Sequence, residues 1–294
     1  MDLFPLRTGR GPSTTPATRA SLRMTNPGSR SAQDDSQLEG YIPPMPITIR
    51  SDLGPITTLD EWAAAMPAKA WKRASSRALA EAWLTPGPRP AEPDEFAALL
   101  DSDRLAGLTL GTVHPHAAID VADTTWHADL AITAHAQEGP VAIVVDAIAD
   151  ERFGDRLGSL LVDAARQIGR DEPSPMVERV QRLAAQLFPA WKHGLPHLDE
   201  LRLDLLMGAA ATVAFATSIN ATRAICVVHE LVHLDRTKES DRRKNREELD
   251  LFVRRISNGA DERLRRGVLT APITVPGYPG IALQLGKARR DLDR

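Results

Sequence analysis

Residues 225 to 235 read ICVVHELVHLD, and within them stand His229, Glu230 and His233 at the spacing with which zinc peptidases hold their metal. Wound into a helix, the two imidazoles would lie one turn apart and converge on one Zn²⁺, with Glu230 beside them as general base for a bound water. Stretched into a strand, they could not. Ile225, Val227 and Val228 are β-branched, which stiffens χ1 and favours extended chain. No good N-cap residue precedes His229 to start a helix there. Asp235 and Arg236 then place charge where a buried zinc helix would continue apolar. The stretch is predicted to be a buried strand. Zinc hydrolysis through His229, Glu230 and His233 is the alternative, with Glu247 or Glu248 as a downstream third ligand; the ordinary role for those two glutamates is an exposed face paired with Arg243 at helical spacing.

Upstream, LLMGAAATVAFATSI at 205–219 is too short for the roughly 18 to 20 residues of a membrane span and carries Gly, Thr and Ser. It is predicted to belong to a buried helix over 198–219. Before it come helical segments at 155–168 and 175–188, and before those LTLGTVH, WHADLAIT and PVAIVVDAI, three successive strands. VAIVVDA is apolar on both faces until Asp146, which places it in the sheet centre. Downstream, DRRKNREELDLFVRRIS is an amphipathic helix with Leu249, Phe252, Val253 and Ile256 on one face. VLTAPITV and GIALQL read as closing edge strands.

Nearer the start, ITIR is a short strand, and Thr58 with Glu61 forms a capping-box pattern ahead of LDEWAAAM. SRALAEAWL and EFAALL follow as helices around the Pro-rich connector TPGPRP. Trp62, Trp71 and Trp83 supply the burial for a small helical cap over 46–100, packed on a core over 101–294. Residues 1–45, rich in Arg, Ser, Thr and Pro without an apolar stretch, are predicted to be a disordered tail, with Met24 and Met45 as alternative starts. The expected fold class is α/β, a central mixed sheet flanked by helices.

Composition bounds the function only loosely. The chain has 294 residues, 43% hydrophobic and 26% charged, enough for one sizeable core. Its one cysteine, Cys226, excludes a disulfide framework and points to a reducing compartment, the cytoplasm by default, with no membrane partner. A net charge of -3 gives no global attraction for nucleic acid, so such a partner would need a local basic patch. Arg242, Arg243 and Lys244 in RTKESDRRKNR offer one, against the ordinary reading of a solvated helix start.

Asp129 and Asp146 lie on adjacent strands joined by a hairpin-length turn, which can bring both to one end of the sheet. Paired carboxylates suit Mg²⁺, which prefers oxygen ligands and water and serves phosphodiester hydrolysis. His127, two residues before Asp129, shares its face. His114 and His116 flank Pro115 and read as loop histidines; His193 and His197, separated by Gly and Pro, do not form a helical ligand pair. Cys226 in its apolar strand is an inert thiol.

From about residue 46 to 290 the chain resembles an uncharacterised bacterial family with a restriction-endonuclease-like, PD-(D/E)XK core. The resemblance is carried by AKAWKRASSRALAEAWL, DLAITAHAQEGPVAIVVDAIADERFGDRLGSLL, RVQRLAAQL, LRLDLLMGAAATVAFATSINATRAICVVHE and IALQLG. Glu151, Phe153 and Gly154 after the central strand match its most specific run. The resemblance implies a nuclease-like protein in which Asp129 stands at the first acidic position and Asp146 at the second. Ile148 stands where the family's lysine should be, and a branched alkyl group can neither activate water nor offset charge on a phosphate. Arg156 or Lys192 could supply a cation from elsewhere, although Arg stays protonated and is a poor base. The expectation is therefore a degenerate nuclease-like site that binds nucleic acid or a divalent metal. The alternatives are a zinc hydrolase and a non-enzymatic protein-interaction domain.

Overall fold

The computed structural model describes residues 47–84, 92–101, 105, 107–149, 151–235 and 237–292. The expected tail over 1–45, the connector TPGPRP and Arg236 lie outside the described residues. Eight strands form one mixed sheet in the order β2-β1-β3-β4-β5-β6-β8-β7. The centre is an antiparallel meander, β3 (Thr109–Val121), β4 (Thr124–Ala136) and β5 (Gly139–Ile148), continued in parallel by β6 (Arg223–Val232) and β8 (Ala282–Asp291). The edges are short: β1 (Thr48–Ser51) with β2 (Gly54–Pro55) on one side and β7 (Ile273–Thr274) on the other, which limits the unpaired backbone offered to another chain.

Helices cover both faces, so the sheet is buried on each side. One layer is α1 (Leu59–Ala64), α2 (Ala68–Trp71), α3 (Ala74–Trp83) and α4 (Asp94–Leu100). Thr58 caps α1 through the expected box: its hydroxyl accepts from Glu61 N–H, and the Glu61 carboxylate accepts from Thr58 N–H at 3.0 Å. Trp62, Trp83 and Phe96 from this layer are buried against Val113, Leu130, Ile143 and Ile225 of the sheet. The predicted cap is thus a full layer of the sandwich, and its Trp83 ring meets Phe96 edge-on at 5.2 Å.

The opposite layer contains α5 (Leu157–Ile168), α6 (Met176–Leu187), α7 (Leu203–Ser218) and α8 (Glu239–Ile256). α7 is buried on nearly every side, as its largely apolar spelling predicts, and α8 buries Leu249, Phe252, Val253 and Ile256 as a stripe. The helix expected from 198 starts later: a 3-10 turn over Leu198–Glu200 precedes it, and α7 begins at Leu203.

ICVVHELV is extended. It forms β6, flanked in parallel by β5 and β8 along its length, so the β-branched run decided the matter. His233 falls just beyond the strand end, and four residues of strand separate it from His229 by roughly 13 Å. His229 is fully buried toward the α1–α4 layer, sharing a 2.9 Å hydrogen bond with Glu95, whose same oxygen pairs with Arg290. Glu230 pairs with Lys287 at 2.7 Å. The helical zinc geometry is not formed: extended chain sets the two imidazoles roughly 13 Å apart, and His229 and Glu230 are each engaged by another partner. Two further expectations change. β8 lies inside the sheet, paired on both sides, and His114 and His116 belong to β3, which runs on through Pro115. Pro115 is tolerated because β1 pairs with β3 only near Thr112 and Val113.

Candidate functional site

The ladder between β4 and β5 runs from Ala136↔Gly139 to Leu130↔Val145 and stops there. One residue further, Asp129 and Asp146 stand opposite each other and open into a cavity of about 360 Å³. Beyond the ladder end the N–H of Ala147 donates to Asp129 Oδ2 at 2.8 Å, so the side chain of β4 is fixed by the backbone of β5. α7 crosses beneath. A Cβ on Gly208 would lie 2.1 Å from Asp146 Oδ2, so only glycine lets the helix pass this carboxyl. Asp204, one turn earlier on α7, also lines the cavity; Gly154, at φ +62°, makes room for it, because a Cβ there would sit 2.6 Å from Asp204 Oδ1.

The cation comes from the helical layer on the other face. Arg73, the N-cap residue of α3, places its guanidinium 3.7 Å from Asp129 Oδ1 and 3.7 Å from Glu151 Oε1. Glu151 in turn accepts hydrogen bonds from the Ser75 hydroxyl at 2.9 Å and the Ala149 N–H at 2.8 Å. The loop after β5 is held from behind by α8: Asn245 donates to Glu151 O at 2.9 Å, and buried Glu248 pairs with both Arg152 and Arg202.

These surroundings set the protonation of the acids. Burial pushes the Asp129 carboxyl up to about 6, with Arg73 and the Ala147 N–H opposing it. Asp146 is raised well above 3.8 by enclosure and then by Asp129 and Asp204. Burial also raises Asp204. Burial acts upward on Glu151 too, but the hydrogen bonds from Ala149 and Ser75 outweigh it and hold this carboxyl low. Like charges enclosed together favour protons or a cation over bare ionisation.

The expected pair, Asp129 and Asp146, is therefore brought together, and His127 lines the same cavity. Ile148 is buried among apolar neighbours at the cavity wall, and neither Arg156 nor Lys192 lines it. Arg73 was not among the expected residues, nor was Asp204. Of the basic stretch, Arg242 pairs with Glu239 and Arg243 with Glu247 along α8, while Lys244 is exposed. Among the described residues no three His, Cys, Asp or Glu side chains stand close enough to hold one ion, which does not fit an all-protein tetrahedral Zn²⁺ site. Two facing carboxylates do fit Mg²⁺, which fills the rest of its shell with water and phosphate oxygens.

A family model described as a domain of unknown function (DUF6946) matches residues 55–291. No curated protein and no solved structure matches the chain. Among the described residues no helix is long and apolar enough to cross a membrane.

Two outcomes are expected from this geometry. Glu248→Ala should destabilise the protein by about 3–5 kcal/mol in urea unfolding, because it strands two guanidinium groups that share one buried carboxylate, whereas Glu247→Ala should leave the midpoint near wild type. Asp129 binds a proton in the folded state that it releases on unfolding. The stability it contributes is therefore complete below 3.8 and is lost as pH rises toward about 6. Without divalent metal, Asp129→Asn keeps an acceptor for Ala147 N–H and should melt higher than wild type at pH 7, with a flatter melting profile across that window.

Proposed function

The chain belongs to the DUF6946 family, and from its site we propose a nuclease-like protein in which Asp129 and Asp146 hold a Mg²⁺ that takes a nucleic-acid phosphate. Its output is retention of the strand, with cleavage absent or vestigial, in a cytoplasmic setting. The observation that carries this reading is the position of the two carboxylates, facing each other where the ladder opens, with Arg73 beside Asp129. The reading also takes the sheet as restriction-endonuclease-like, for which the antiparallel meander joined in parallel to β6 and β8 is the support.

Each group has a distinct part. Mg²⁺ would neutralise a bound phosphate and orient it. Asp129, fixed by Ala147, and Asp146, fitted against Gly208, would present oxygens to the metal from two strands that cannot slide apart. Arg73 offers a planar fork for a phosphate oxygen and meets the charge-offsetting half of what Ile148 cannot do. It leaves the other half unmet, because a guanidinium stays protonated and takes no proton from water. Electrostatic grip without a base at that position favours binding over turnover. Arg242, Arg243 and Lys244 on α8 would add a weaker, salt-sensitive attraction, reduced by the two pairings within the helix.

Calorimetric titration with MgCl₂ alone tests the metal site. Wild type should take up one ion, more tightly at pH 7.5 than at pH 5.5 because binding displaces protons, and Asp129→Asn should lose the uptake. In the presence of Mg²⁺ a labelled oligonucleotide should be retained with an affinity that falls steeply with salt, and Arg73→Gln should weaken it by roughly tenfold or more. Uptake unchanged in Asp129→Asn, or retention indifferent to Mg²⁺, would overturn the proposal. Metal-dependent turnover of the strand, abolished in Asp129→Asn, would replace retention with catalysis.

A further inference from the structure

Opposite Asp129 on β3 stands His116, between the paired positions Pro115↔Leu130 and Ala117↔Ala128. Its φ is +48°, a left-handed conformation that a side chain seldom takes inside a strand. The two strands change face at this point. Val113 of β3 and Leu130 and Ile132 of β4 pack toward the α1–α4 layer, whereas Ile119 and Ala128, at the same parity, pack toward α5–α8. One consequence is local. The His116 ring lies flat on His127, with centroids 4.5 Å apart and planes 17° from parallel.

This imidazole pair is common to two cavities. It lines the carboxylate cavity, and it also lines a larger one of about 600 Å³ bounded by Pro115, Ala118, Ala131 and Phe215, with Arg50 at its rim. The first cavity is built for phosphate and metal. The second is more apolar than polar, with Ser51, Asp52 and His114 also in its wall; the carboxylate of Asp52 disfavours an anion there, and the flat imidazole faces suit an aromatic group. Arg50 is exposed at the rim of the second.

Resting on the phosphate-binding reading of the Asp129–Asp146 site, we propose that this second cavity receives the base flanking the bound phosphate, stacked on the outer face of the His116–His127 pair so that it extends their stack, and that the ligand is single-stranded nucleic acid. A base inside a duplex is already stacked and paired, so it would have to be extruded before entering. An unpaired strand can place its phosphate over the carboxylates and add the adjacent base to the end of the imidazole stack without that cost. The left-handed turn at His116 serves this arrangement by laying one ring on the other.

Fluorescence anisotropy in Mg²⁺ buffer tests the inference with three probes of equal length: a thymidine strand, its duplex, and a strand of abasic residues. Wild type should bind the thymidine strand about tenfold or more tighter than either of the others. His116→Asn removes the ring and suits a positive φ; His127→Ala removes the other ring. In each variant the thymidine strand should bind no tighter than the abasic strand measured on that same variant. His127→Phe keeps a stacking plane at this position and should keep the preference for bases. Equal binding of thymidine and abasic strands, preference for the duplex, or loss of the base preference in His127→Phe would overturn the inference. Because Mg²⁺ uptake is measured without any oligonucleotide, an intact metal titration with base-indifferent binding sinks this inference alone. Lost metal uptake sinks the underlying reading with it.

Discussion

Two carboxyl groups facing each other across the open end of a β-ladder repel, and much of the architecture around Asp129 and Asp146 accommodates that repulsion. The N–H of Ala147 is spent on Asp129. α7 must be glycine where it passes Asp146, and the loop after β5 must be glycine where it passes Asp204. A cation is drawn in from the far helical layer. Even so, Asp129 sits near 6 and Asp146 is raised well above its ordinary value, which is unfavourable for stability at neutral pH. A fold that needed only stability would place apolar residues here. Retaining the acids in a cavity is the pattern expected where function has been kept at the expense of stability.

The two helical layers divide the labour. The α5–α8 layer supplies Asp204 and Gly208 from α7 and, through Asn245 and Glu248 of α8, braces the loop that carries Glu151 and Arg152. The α1–α4 layer supplies Arg73 and Ser75, both bound to Glu151. Glu151 therefore fastens the first helices of the domain to the end of the sheet that carries Asp129 and Asp146, and the hydrogen bonds that hold its carboxyl low also help fix where the guanidinium of Arg73 stands. Glu151 and Asp129 together set where the guanidinium of Arg73 stands.

Local patterns were legible in the amino-acid order and long-range ones were not. β-branched residues before His229 marked ICVVHELV as strand despite its zinc-like spelling, and a capping box, a Leu-Phe-Val-Ile stripe and a largely apolar helix each announced their elements. Asp129 and Asp146 could be paired because a short turn links their strands. Arg73 could not be found that way: it reaches the site only through the packing of the first helical layer across the sheet edge, and nothing in its own helix distinguishes it. Asp204 falls inside the helix expected over 198–219 with nothing in the order to mark it, and Gly208 is one small residue among many. Pro115 makes its flanking histidines read as loop residues, which hides both the full length of β3 and the left-handed His116. The alkyl side chain of Ile148 at the cavity wall was visible in the order; the guanidinium of Arg73 beside Asp129 was visible only in three dimensions.

The most direct test of the central claim is a crystal soaked in Mn²⁺ as a stand-in for Mg²⁺ and read by anomalous scattering. The account requires a peak at ligand distance from both Asp129 and Asp146, with its remaining positions filled by water and the guanidinium of Arg73 still beside it. A peak bound elsewhere, or none while the two carboxyl groups keep their facing arrangement, would contradict it.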